Sequence, residues 1–329
     1  MKTLILNKNE VLKYLQIQNV FDAVKESYID FCNDDVLQPK ISSIDISKNN
    51  AEMDFKYGYS KSKDIIGMKV AGGFWNNPKL YNLPSGVALI NLFDAKTGIP
   101  LAIMDGTYIT SYRTAAAGAL ASTLLAKEDS KKLAVIGTGD QAKMQIIFHI
   151  NYFGLKYINI WGRDIKKANK LKLELENKYE DIEFNIFDDV KLACMDADII
   201  ITTTPSDKPI VMKEFVKDGC HINAIGADCP HKQELDEDLF KNAKIVTDNT
   251  AECINRGETR TAIQNKIINE SDIHAQIGEI LLGKKEGRIN DKEITIFDAT
   301  GMSIQDINTS YTIYKKAIDD EVGINLDIL

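Results

Sequence analysis

No stretch of the chain approaches the roughly 18–20 consecutive apolar residues that a membrane span needs. The first eight residues form no apolar run of signal-peptide length, so a cytoplasmic location and no membrane partner are expected. A basic surplus is also missing: 40 Lys and Arg stand against 48 Asp and Glu, for a net charge of −8. Nothing concentrates enough cations to follow a phosphate backbone, and nucleic acid is not an expected partner. Cysteine is sparse, with five residues (Cys32, Cys194, Cys220, Cys229, Cys253) that are odd in number, scattered, and without a CxxC pair. That excludes a disulfide framework and reads as reduced thiols. Cys220-His221 followed by Cys229-Pro230-His231 offers zinc-type ligands, but the spacing fits no common zinc module, so no metal is assigned. Internal repeats and low-complexity tracts are absent, which excludes a solenoid.

What is present is a chain of 329 residues, 44% hydrophobic, long enough for two domains, each with its own core. The first third mixes a helix over 9–34 with extended stretches at 41–46, 65–70 and 87–93, an α+β pattern. Asp94-Ala95-Lys96-Thr97-Gly98 reads as a hairpin turn between strands at 89–93 and 101–104. From Thr114 a run of small residues predicts a helix that can lie close to a neighbouring backbone or a phosphate, joining the two domains. Strands at 133–136, 157–161, 182–186, 199–203 and 221–225 alternate with helices at 141–153 and 165–178. Alternation of this kind specifies a parallel sheet covered by helices. A helix at 309–320 with an extended tail returns to the first domain. The expected fold is α/β: a Rossmann-type doubly wound parallel sheet over 116–304, plus a smaller α+β substrate-binding and dimerisation domain over 1–115 with 305–329.

Leu133-Ala134-Val135-Ile136 runs directly into Gly137-Thr138-Gly139-Asp140-Gln141-Ala142, a Gly-x-Gly-x-x-Ala element between a buried strand and a helix. Gly137 suits the tight turn, Gly139 admits a pyrophosphate to the backbone, and Ala142 permits close helix packing. The helix N-terminus offers N–H groups to the phosphates. A cofactor of the NAD(P)(H) type is therefore expected. The second strand ends Trp161-Gly162-Arg163-Asp164, with Gly where an NAD-preferring chain usually carries an acid and with Arg163 next to it. This slightly favours NADP(H), although a one-residue shift would let Asp164 meet the ribose, and Arg163 is equally readable as a solvated helix-cap residue. Thr202-Thr203-Thr204-Pro205 and Ala224-Ile225-Gly226-Ala227-Asp228 end two further strands, where ligands bind in open α/β sheets; the threonines are also compatible with ordinary strand positions.

Nicotinamide chemistry on a carbon–nitrogen bond needs a carboxylate clamp, a group that polarises the reacting carbon, and a proton carrier. Lys69 ends an apolar strand segment and can polarise a carbonyl or imine, or else serve as an edge residue. Arg113 can clamp a carboxylate or form a structural ion pair, and Asp228 at a strand end can act as general acid/base.

Several longer segments sharpen this reading: Thr97-Gly98-Ile99-Pro100-Leu101-Ala102-Ile103-Met104-Asp105, Thr110-Ser111-Tyr112-Arg113-Thr114-Ala115-Ala116, the glycine loop, His221-Ile222-Asn223-Ala224-Ile225-Gly226-Ala227-Asp228, Lys232-Gln233-Glu234-Leu235-Asp236 and Phe297-Asp298-Ala299-Thr300-Gly301. Over nearly its whole length the chain resembles the ornithine cyclodeaminase/mu-crystallin family, most closely the archaeal-type alanine dehydrogenases within it. The resemblance implies a substrate-binding pair in Lys69 and Arg113 and a catalytic Asp228. It further implies cofactor contacts at Thr114, Thr300 and Gly301, beside those that the glycine loop and strand ends offer at Gly137, Thr138, Gly139, Asp140, Gln141, Arg163, Thr203, Thr204, Pro205, Ile225 and Gly226, and a homodimer built through the first domain. Ornithine cyclodeaminases carry an acid thirteen positions before the lysine, where this chain has Lys56, a cation that repels ornithine's distal amine. The alanine dehydrogenases are basic there and have a lysine matching Lys40, so Lys40 and Lys56 are expected to meet a carboxylate. The implied activity is an NAD(P)-dependent oxidoreductase of a small amino or imino acid, such as alanine dehydrogenase or pyrroline-2-carboxylate reductase. The alternatives are an ornithine cyclodeaminase and a non-catalytic, NADP-dependent binding protein of mu-crystallin type.

Overall fold

The computed structural model describes residues 2–328; Met1 and Leu329, the outer ends of the expected first domain, lie outside the described residues. The chain begins β1 (Lys2–Leu6), α1 (Lys8–Tyr14), α2 (Ile17–Cys32), β2 (Val36–Leu37), β3 (Ser42–Ile46), β4 (Ala51–Ser60), β5 (Ile65–Phe74), α3 (Asn77–Leu80), β6 (Gly86–Asp94), β7 (Pro100–Asp105) and α4 (Thr107–Leu125). It continues with β8 (Lys132–Ile136), α5 (Asp140–Tyr152), β9 (Tyr157–Trp161), α6 (Ile165–Glu176), β10 (Glu183–Phe187), α7 (Val190–Cys194), β11 (Ile199–Thr202), β12 (Asp207–Val211), β13 (His221–Ala224) and β14 (Gln233–Leu235). It ends with β15 (Ala243–Thr247), α8 (Thr250–Arg256), α9 (Thr259–Gln264), β16 (Ile273–Gln276), α10 (Ile277–Leu281), β17 (Ile294–Asp298), α11 (Ser303–Asp319) and β18 (Ile324–Asp327). Two compact units result: Met1–Arg113 with Met302–Leu329, and Thr114–Gly301, the division falling within α4.

In the first unit one sheet runs in the order β18-β1-β7-β6-β5-β4-β2, with β3 on β4. Helix α11 packs on β4, β5 and β6 and against α2. Gly67 makes this approach possible, because a Cβ there would lie 2.5 Å from Ile307 Cγ1. Alternate residues of the same strands (Tyr57, Ile66, Val87, Leu89) form an open face on which these side chains are 39–45% exposed. The C-terminal strand β18 pairs antiparallel with β1.

The second unit is a doubly wound sheet of eight parallel strands in the order β10-β9-β8-β11-β13-β17-β15-β16, plus the small pair β12-β14. Leu133, Ala134, Val135 and Ile136 of β8 are completely buried, as a strand covered on both faces requires. Strand order reverses between β8 and β11, which creates the crevice where open α/β sheets take ligands. No helix among the described residues is long and apolar enough to cross a membrane.

Three expectations need correction. The helix expected over 9–34 is two helices, because the apolar residues Val11, Tyr14 and Leu15 fall out of phase with Val20, Phe21, Val24 and Tyr28; Gln16 turns extended (φ −89°, ψ 137°) and starts α2. The small-residue helix begins at Thr107 rather than Thr114. The last helix begins at Ser303, not at 309, because Gly301 (φ 77°) turns the chain and the Met302 N–H donates to the Gln305 side chain at 3.0 Å. Its polar first turns are buried instead of looped.

Candidate functional site

In the first unit, Lys69 on β5 lies directly opposite Lys56 on β4, and both are buried (2% and 6% exposed). Like charges across a strand pair repel, so Lys69 needs a counter-charge. That counter-charge is Asp306 on α11, 1% exposed: its Oδ2 is 2.7 Å from Lys69 Nζ, and its Oδ1 accepts from Arg113 Nε at 3.0 Å. Arg113 Nη1 donates to Gln305 Oε1 at 3.3 Å, and Gln305 Nε2 donates to the Tyr28 hydroxyl at 2.8 Å, which fixes the guanidinium plane.

Burial works to raise the pKa of Asp306, but the Arg113 and Lys69 charges outweigh it and hold the carboxyl below its usual range. Burial, followed by Arg113 and, more weakly, Lys56, drops Lys69 to about 7 against the pull of Asp306. Lys69 and Arg113 thus share one buried carboxylate, with Lys56 across the strand pair, and one of these amines, Lys69, changes charge near neutral pH. The expected Lys69, Arg113 and Lys56 are thus brought together, whereas Lys40 is exposed between β2 and β3, outside the buried cluster. Gln305 and Asp306 escaped sequence reasoning, which began the last helix at 309.

In the second unit, β8 ends in the expected turn. Gly137 has φ 135°, its N–H bonds to the Trp161 carbonyl at 2.9 Å, and a Cβ there would strike Thr203 Oγ1. A Cβ on Gly139 would meet nothing within 4 Å, and α5 starts at Asp140 with no side-chain cap. An open approach to a helix N-terminus of this kind fits a pyrophosphate. The residues Thr138 and Gln141 belong to the same loop and helix start, and Thr114 O accepts from Gln145 Nε2 of α5 at 3.1 Å. At the end of β9, Gly162 is held small by Thr138, Arg163 is exposed, and Asp164 caps α6 by accepting from Lys166 N at 2.9 Å. The remaining expected contacts, Thr203, Thr204 and Pro205 after β11, Ile225 and Gly226 after β13, and Thr300 and Gly301 after β17, follow the carboxyl ends of strands in the same sheet. The Gly301 N–H donates to the buried Asp248 at 2.7 Å.

Asp228 is 41% exposed at its side chain and pairs with Lys232 Nζ at 2.7 Å, while its carbonyl accepts from Arg256 Nε at 3.1 Å. All five cysteines are free thiols. Cys220-His221 and Cys229-His231 flank opposite ends of β13; His221 Nδ1 faces the Thr295 hydroxyl at 2.9 Å, and burial pushes the Cys220 thiol up to about 12.

The chain is similar over its length to known proteins. The alanine dehydrogenase of Archaeoglobus fulgidus is 36% identical over 327 residues, covering 98% of each chain. A solved archaeal alanine dehydrogenase dimer with bound NAD superposes with a TM-score of 0.94 at 35% identity over 100% of both chains. The Delta(1)-pyrroline-2-carboxylate reductase of Thermococcus litoralis, in complex with NADH and L-proline, gives 0.95 at 31% identity over 98% of this chain and 100% of its own. The profile of the ornithine cyclodeaminase/mu-crystallin family matches residues 1–321, and with a glycine loop, a doubly wound sheet and relatives matched end to end, the chain belongs to that family.

Proposed function

We propose that the protein is an NAD(P)-dependent oxidoreductase acting on the C–N bond of a small amino or imino acid, either by reductive amination of pyruvate or by reduction of pyrroline-2-carboxylate. The observation that carries this reading is the buried grouping of Lys69 and Arg113 on Asp306, with Lys56 directly opposite Lys69 on the neighbouring strand. In the proposed reaction Arg113, with Lys56 or Lys40, holds the substrate carboxylate. Lys69 in its ammonium form polarises the C=O or C=N bond, and Asp228 carries the proton. The nicotinamide, when bound, supplies or accepts the hydride. Full-length similarity to an alanine dehydrogenase and a cyclic-imine reductase supports the reaction class, and Lys56 disfavours the diamine of a cyclodeaminase.

The unit Thr114–Gly301 is assigned the dinucleotide and the remainder the substrate. With Asp164 occupied as a helix cap and Arg163 exposed, NADP(H) is taken slightly in preference to NAD(H). The open apolar face of the first unit supports a homodimer, and a solved relative is described as a dimer. Five free thiols fit a cytoplasmic setting.

The test is loss of reduced-nicotinamide absorbance with pyruvate, with and without ammonium, and separately with pyrroline-2-carboxylate, using NADPH and NADH in turn. Turnover of pyruvate only when ammonium is present marks a dehydrogenase; turnover of the cyclic imine alone marks an imine reductase. Silence on both substrates overturns the reading. Faster reaction with NADH overturns the Arg163 assignment.

A further inference from the structure

The segment Lys232-Gln233-Glu234-Leu235-Asp236 contributes Glu234, a carboxylate that is completely buried on the three-residue strand β14. Burying an ionisable group costs several kcal/mol unless donors replace its water. Two backbone donors do so in part, from two different loops, and burial still raises the Glu234 carboxyl to about 7. Oε1 accepts from the Thr204 N–H at 2.5 Å, in the loop after β11, and Oε2 from the Gly226 N–H at 2.9 Å, in the loop after β13. Gly226 must lack a side chain for this to occur, since a Cβ would collide with Glu234 Oε2 and with the Thr204 backbone.

Glu234 is itself held. The Glu258 carboxylate accepts from the Glu234 and Leu235 N–H groups, and Asp298 at the end of β17 accepts from the Glu258 N–H at 3.2 Å and the Thr259 N–H at 2.9 Å. Three buried carboxylates in series therefore connect the ends of β11, β13 and β17. In a doubly wound sheet the strands on the β8-β9-β10 side take the adenosine half of a dinucleotide, and those from β11 onward take the nicotinamide half.

We infer that Glu234 is a positioning residue that sets the spacing of the β11 and β13 loops for the nicotinamide half of the cofactor. The inference rests on the dinucleotide reading above. An amide at this position keeps one acceptor but turns N–H groups toward the other loop's N–H donor, so Glu234→Gln breaks the staple with almost no change in volume.

The experiment measures dissociation constants for NADH and for ADP-ribose, which lacks the nicotinamide, on wild type, E234Q and E234D, with thermal unfolding followed alongside. The expected result is NADH binding weakened about tenfold or more in E234Q, ADP-ribose binding nearly unchanged, and the shorter carboxylate of E234D intermediate for NADH only. Should E234Q fail to fold, E234D carries the same comparison. Equal weakening of both ligands, or no weakening of either, overturns the inference while wild-type NADH binding leaves the dinucleotide reading standing. Failure of wild type to bind NADH, and NADPH when offered in its place, overturns both.

Discussion

Asp306 shows how one residue can organise a charged site it does not itself need to touch chemically. With one oxygen on Lys69 and the other on Arg113, it is the anion that makes burial of two cations tolerable, and it opposes the fall of Lys69 toward its neutral form. The pH dependence follows from the sign of that shift. Lys69 is lowered from 10.5 to about 7, so its ammonium form, which the proposed mechanism uses to polarise C=O or C=N, dominates below that pH and is lost above it. The value of kcat/KM for reduction is expected to fall as pH rises through about 7, and that for amine oxidation to rise, because these ratios report the free enzyme. In Asp306→Asn the inflection moves lower, because Lys69 loses its counter-charge. Reduction near neutral pH falls about 100-fold, with the NADH dissociation constant unchanged. A pH–rate profile of both proteins checks this, and an inflection that stays in place in the variant counts against the assigned role. Lys69 and Arg113 were legible as candidates because a lysine in an apolar strand and an arginine before a small-residue helix stand out locally. Asp306 did not stand out, since an acid near a helix start is ordinarily a solvated cap.

At the scale of elements, the site depends on α11 lying close on β5. Gly67 is the contact that allows it: a Cβ would meet Ile307 Cγ1 at 2.5 Å and Leu92 Cδ2 at 3.2 Å. Gly67→Ala is expected to overpack this junction and cost about 1–3 kcal/mol, read from the midpoint of urea unfolding. An unchanged midpoint would mean that the helix yields without cost. The second unit was the more legible of the two, because a parallel strand covered on both faces is a continuous apolar run and its glycine turn is local. Strand β4 went unseen for a physical reason. Its period-two pattern is present with the hydropathy reversed: Lys56, Gly58 and Ser60 point to the buried face while Tyr57 faces outward, because the buried face carries the charged cluster. The start of α11 was missed on the same account, its first two turns being polar and buried together.

For the molecule as a whole, the open face of the first sheet matters most. Leu89, 45% exposed, lies on it opposite Val70 of β5, with Ile66, Tyr57 and Val87 nearby on the same face. If a second copy covers this face, as proposed, Leu89→Glu places a desolvated charge in the interface and is expected to yield a monomer with unchanged circular dichroism. Light scattering on the eluted protein decides it, and a dimer that persists in the variant rules this face out. What the sequence alone determined is what its local chemistry can encode: the strand, glycine turn and helix of the nucleotide motif, the parallel alternation, and Lys69 and Arg113 as candidate site cations. What only the tertiary structure decided are the pairings between distant segments, Asp306 with Lys69 and Arg113, and Glu234 with two separate loops. A buried charge is stable only beside its partner, and which partner it meets is set by the packing of strands and helices, not by its neighbours in the chain.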